Sequence, residues 1–142
     1  MATRTSGFEA FDHTADVGLR VWGRELEDLF EQAGAGFIDL MIDPGSVRCR
    51  ERRSIQVEGG ETEELLVAWL EEILFALDAE GFAPRSAAVE CLEPGKLRGS
   101  LCGEKFDPAR HEVRQAVKAV TYHDLKVRKT ESGYEVSIVF DV

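Results

Sequence analysis

The sequence predicts an α+β fold: a two-layer sandwich with two helices packed on one face of a largely antiparallel or mixed sheet. Three features lead there. Two segments carry apolar residues at the three- and four-residue spacing of a buried helix face. Several short stretches alternate apolar and polar residues, the period of a half-buried strand. A Pro94-Gly95 pair between two such stretches marks a hairpin, whose strands are antiparallel by construction. Helices laid on one face of the sheet bury both apolar surfaces at once.

The elements follow in order. Phe8 to Asp12 is short and aromatic and reads as a first strand. His13-Thr14-Ala15-Asp16 interrupts it. Val17, Leu19 and Val21 then alternate with Gly18, Arg20 and Trp22, a strand ending at Gly23. From Glu25 to Met41 the period changes: Leu26, Leu29, Phe30, Ala33, Phe37, Leu40 and Met41 form one face of a helix. Asp43-Pro44-Gly45 stops it. Ser54 to Val57 reads as an edge strand, closed by Gly59-Gly60. Thr62 is the expected cap of a second helix, with Glu63 and Glu64 at the positive end of its dipole. Leu65, Leu66, Trp69, Leu70, Ile73, Leu74 and Leu77 make its apolar face, and it ends near Gly81. Ala88–Leu92 and Lys96–Cys102 flank the hairpin turn. Phe106 to Val113 is turn-like, Ala116 to Arg128 is rich in strand formers, and Tyr134 to Val142 alternates cleanly.

Composition bounds the function. The 142 residues suit one domain, and 1–142 reads as a single unit without repeats or linkers. Seventeen basic and 27 acidic side chains give a net charge of −10. That balance argues against a nucleic-acid footprint and against a polybasic membrane patch. No apolar run approaches the ~18 residues of a spanning helix, and the first residues lack a signal-peptide core, so a cytoplasmic location is expected. Cys49, Cys91 and Cys102 are widely spaced with no CxxC, and are expected to be reduced, small, partly buried side chains.

Four polar groups need a reason. Asp12 to Asp16 lies just before a strand, where short polar residues commonly form turns. The sequence finishes inside a strand pattern on Asp141 and Val142. If that end meets Asp16, carboxylates converge, and a hard divalent cation, Ca²⁺ or Mg²⁺, would neutralise them; the plain alternative is a solvated tail. Lys118 lies amid small and β-branched residues, with His123 on the opposite parity. Glu104, Arg110 and His111 share one loop that has no zinc-type spacing. No GxGxxG, P-loop or GxSxG motif is present. From the residues alone, the reading stops at an acidic α+β domain with a candidate cation site.

Taken together, these segments resemble the archease family. The resemblance is carried by Phe11 to Gly18 (FDHTADVG), Leu65-Leu66 and Trp69-Leu70, Gly103-Glu104, Arg110-His111, Val117 to His123 (VKAVTYH) and Phe140-Asp141-Val142. It implies a protein cofactor without stand-alone catalysis. Such proteins activate the GTP-dependent RtcB-type RNA ligase of tRNA splicing and RNA repair. They promote guanylylation of the ligase's histidine and sustain multiple turnovers. It also implies a divalent cation held by Asp16, Asp141 and a main-chain oxygen of Val142. Lys118, Asp16, Asp141 and His13 would serve ligase activation, with Glu104, His111 and His123 as candidates for supporting residues behind the cation's ligands. The alternative is a chaperone or specificity partner for another RNA-processing enzyme, such as a tRNA methyltransferase. A metal-dependent hydrolase using Asp16, Asp141 and a histidine is the enzymatic alternative.

Overall fold

The computed structural model describes residues 5–13 and 16–142. The chain runs β1 (Gly7–His13), β2 (Asp16–Gly23), α1 (Leu26–Met41), a 3-10 turn at Pro44–Ser46, β3 (Glu51–Glu58), α2 (Thr62–Asp78), β4 (Phe82–Glu93), β5 (Lys96–Lys105), β6 (Ala119–Val120), β7 (Arg128–Thr130) and β8 (Gly133–Asp141). The α+β class is as expected, and every strand pairing among the described residues is antiparallel.

The strands divide between two sheets where a single one was expected. One has the order β1-β2-β8-β6, with β7 also on β8; the other is β3-β5-β4. Helix α1 reconciles them, because it packs on β1 and β2 of the first sheet and on β4 of the second. Its Phe37 ring stacks on Phe140 of β8, with centroids 4.6 Å apart. Helix α2 lies on β3, β4 and β5 and is tied to α1 by the Trp69 indole N–H, which donates to the Phe30 carbonyl at 2.9 Å. Leu19, Val21, Phe30, Phe37, Leu66, Trp69, Leu70, Leu97, Ile138 and Phe140 are all buried in the resulting core.

Local details correct three expectations. Thr62 is the first helical residue of α2, and Glu61 is the cap; its N–H donates to the Glu64 carboxylate three residues on. Residues 116–128 form only the two-residue β6 and the start of β7. After β6 the chain turns through Asp124 at φ +50, a conformation short polar side chains tolerate. Val127 then gives its N–H to the Glu63 side chain of α2 instead of to a strand. Finally, Cys49 and Cys102 are bonded, with Cα atoms 5.1 Å apart, and only Cys91 is free. A sequence separation of 53 hid the pair, which forms because Cys49 just precedes β3 and β3 pairs along β5.

Other elements stand as read. β3 is an edge strand studded with charge, which discourages edge-to-edge association. The β4–β5 turn has Gly95 at φ +78, as a type II turn requires at its third position. No described helix is long and apolar enough to cross a membrane.

Candidate functional site

One end of the first sheet gathers most of the residues singled out in the sequence. β1 and β2 form a hairpin in which His13 is opposite Asp16. Its register is fixed by Phe11 opposite Gly18: the Phe11 ring lies over the glycine, where a Cβ would overlap it. β8 then pairs on the other side of β2, placing Asp141 directly opposite Asp16 and Phe140 opposite Val17. β6 pairs on the far side of β8, with Ala119 opposite Asp141. Just before β6, the Lys118 N–H donates to the Asp141 carbonyl at 2.8 Å. Asp16, Asp141 and Lys118 thus occupy neighbouring positions across three adjacent strands.

Burial suits an exposed working edge on a fixed base. Lys118 and Asp141 are exposed and Asp16 is half-buried, while Phe140, Val120 and Val117 beside them are in the core. Val142 packs on that core. The side chain of His13, with Thr14 and Ala15, lies outside the described residues. Directly opposed residues of an antiparallel pair present their side chains on one face, roughly 5 Å apart at Cβ. Two carboxylates so placed repel, and a cation between them reverses the sign of the interaction. Among the described residues, no three His, Cys, Asp or Glu side chains converge as a metal cluster. The two carboxylates, joined by a main-chain oxygen, would form a hard donor set of the kind that suits Ca²⁺ or Mg²⁺.

Glu104 and His111 build a different feature. Glu104 is the next-to-last residue of β5 and is buried, with both carboxylate oxygens occupied. Oε1 accepts from Arg110 Nη2 at 2.7 Å and lies 3.6 Å from Arg50 Nε. Oε2 accepts from the Arg48 N–H at 2.8 Å and meets His111 Nε2 at 2.9 Å. His111 Nδ1 accepts the Asp107 N–H at 2.8 Å, so the ring proton facing Glu104 is on Nε2. Glu104 and His111 therefore bind each other, and neither hydrogen-bonds to Asp141. His123 stands in the turn after β6, its Nε2 3.2 Å from Asp124 Oδ2.

These donors hold Glu104 ionised. The Arg48 N–H, then the His111 ring, then Arg110 lower its pKa from 4.5 to about 2, against the opposing effect of burial. A depressed carboxylate stabilises the fold above its unfolded pKa, and that stability is lost as pH falls from about 4.5 through about 2. Glu104→Gln should therefore be less stable than the parent at pH 7, with the gap closing across that window. Urea unfolding of both proteins at stepped pH measures it; a gap that stays constant with pH contradicts the assignment.

The knot has a mechanical consequence. His111 starts an irregular segment that runs across the C-terminal end of α1. Asp43 N–H donates to the Glu112 carbonyl, and Arg114 and Gln115 N–H donate to the Met41 carbonyl. Arg114 Nη1 reaches both the Asp39 carbonyl and its carboxylate at 3.0 Å. These bonds satisfy carbonyls left open at the helix end, and the arginine suits the negative pole of the dipole. The segment then delivers Lys118 to Asp141. Sequence reading grouped Glu104, Arg110 and His111 but missed Arg48 and Arg50, which lie more than fifty positions upstream. No local pattern marks them.

Comparison with known proteins agrees with this architecture. Residues 8–142 match the archease protein family (MTH1598/TM1083). Protein archease of Sulfurisphaera tokodaii is 38% identical over 136 residues, covering 95% of this chain and 98% of that one. Protein archease of Thermococcus kodakarensis is 40% identical over 129 residues, covering 89% and 91%. The solution structure of Methanobacterium thermoautotrophicum protein 1598 superposes with a TM-score of 0.80 at 30% identity, covering 96% of this chain and 99% of that one. A family match over nearly the whole length, relatives at about 40% identity and a shared fold lead to one conclusion: the chain belongs to the archease family.

Proposed function

We propose that this protein is a non-catalytic cofactor of a GTP-dependent RtcB-type RNA ligase in tRNA splicing and RNA repair. It promotes guanylylation of the ligase histidine and so sustains repeated turnover. The observation that carries this reading is the meeting of Asp16, Asp141 and Lys118 at one sheet edge. A net charge of −10 favours approach to a basic, phosphate-binding cleft.

In this reading Asp16, Asp141 and a main-chain oxygen of Val142 hold a hard divalent cation. Bound there, it supplies a positive centre for phosphate oxygens and relieves the repulsion between the two carboxylates. The chain's own residues do the positioning. Phe11 and Gly18 set the hairpin register, which fixes Asp16 against Asp141. The Asp141 carbonyl holds the Lys118 backbone, leaving an exposed ammonium group at the same edge. Lys118 pairs with phosphate as the docked edge meets the nucleotide site, and His13, opposite Asp16, lies at the hairpin tip.

The test is ligation with RNA in excess over the ligase, with and without this protein. Multiple turnovers only when it is present support the reading. Equal, single-round joining in both reactions overturns it, and capture of an RNA methyltransferase in place of the ligase would favour a role as specificity partner for that enzyme.

A further inference from the structure

We propose that Cys49 and Cys102 form a reversible thiol–disulfide exchange site that clamps the strap before β3 onto the strand carrying Glu104. The two Cα atoms are 5.1 Å apart, inside the range a disulfide spans without backbone movement. Cys49 is exposed; Cys102 is half-buried on β5, opposite Arg52 of β3 and Ser86 of β4. The bond is therefore reachable from solvent through one of its two sulfurs.

Its position couples it to the buried knot. Arg48 and Arg50 flank Cys49 on the strap. Arg48 N–H donates to Glu104 Oε2, and Arg50 N–H donates to the Gly103 carbonyl at 2.9 Å. Cys102 immediately precedes Gly103 and Glu104. The covalent link thus spans the same two segments as these hydrogen bonds. Opening it leaves the main-chain donor of Glu104 on a strap held only by non-covalent contacts: its hydrogen bonds, the Arg50–Glu104 ion pair and the buried Val47.

The exchange follows ordinary thiol chemistry. The thiolate of a small thiol of the glutathione class attacks Cys49 Sγ. The S–S bond breaks, and Cys102 leaves as a thiolate that takes a proton from water. A second small thiolate attacks the mixed disulfide, releasing Cys49 as a thiolate and the two small thiols as their disulfide. Two electrons pass from the two small thiols to the protein, and the oxidised small disulfide runs the sequence backwards.

The experiment uses the full chain under native conditions. One sample is equilibrated with dithiothreitol and one with oxidised glutathione; each is then alkylated and weighed by mass spectrometry, and its thermal midpoint is read. The expected result is three alkylated cysteines after dithiothreitol and one, Cys91, after oxidised glutathione. The reduced form should melt lower, by on the order of 10 °C. Cys49→Ser and Cys102→Ser should each abolish this redox dependence, and Cys91→Ser should keep it. Three alkylatable thiols under both conditions overturn the proposal, as does a bond that opens only after denaturation. Because none of these readings involves the ligase, the outcome is independent of the proposed function.

Discussion

Lys118→Ala should fold as the parent does and yet lose most of the gain in ligase turnover. The side chain is exposed, and the residue's structural bond comes from the backbone N–H, which alanine retains. Surface substitutions of this kind usually change stability by no more than about 0.5 kcal/mol. The loss in activity should be far larger. A charge-assisted hydrogen bond is worth about 1.5–3 kcal/mol, and each 1.4 kcal/mol is roughly tenfold, so turnover should fall roughly ten- to a hundredfold. Lys118→Arg keeps the charge and should recover part of it. Multiple-turnover ligation beside a melting curve reads both quantities. Full activation by a well-folded Lys118→Ala protein would remove the residue from the mechanism.

Trp69→Ala carries the largest expected cost to stability, about 3–5 kcal/mol. The indole is fully buried and joins three elements. It bonds to the Phe30 carbonyl of α1 from α2, and its ring lies so close to Gly99 of β5 that a Cβ there would come within 2.9 Å. Removing it opens a cavity between both helices and the second sheet and leaves a buried carbonyl without its donor. Against a total stability of about 5–15 kcal/mol, that is a large share. Trp69→Phe keeps most of the packing and forfeits the hydrogen bond, about 1 kcal/mol. Urea unfolding midpoints rank the three proteins. Similar midpoints for Trp69→Ala and the parent would mean that the indole does not join the layers.

Much of this was legible in the residues because local rules act over short spans. The apolar stripe from Leu26 to Met41 reports a helix whichever sheet it covers, and Pro94-Gly95 reports its turn unaided. The alternation from Tyr134 onward marked the buried Val136, Ile138 and Phe140. Periodicity gives the apolar face of each strand but not its neighbour, so the division into two sheets was hidden. The stretch from Ala116 to Arg128 misled for a related reason. Its β-branched residues suit a strand, but Asp124 turns the chain and Glu63 takes the Val127 N–H. At the candidate edge, the residues alone left open whether the final strand meets Asp16 or trails off as a solvated tail, and only the family resemblance joined the two acids; Asp16 and Asp141 are register partners. The knot around Glu104 and the Cys49–Cys102 bond depend on a strap more than fifty residues away, and no spacing rule reaches that far.

The most direct measurement is a calorimetric titration of the full chain with Ca²⁺ and with Mg²⁺, repeated on Asp16→Asn and on Asp141→Asn. If the opposed carboxylates grip one ion between them, the parent binds a single equivalent of at least one metal. Each asparagine variant alone then weakens binding by tenfold or more, since losing one charge-assisted ligand costs roughly 1.5–3 kcal/mol. No binding heat in the parent with either metal, or single variants that titrate like the parent, would contradict the account at its centre.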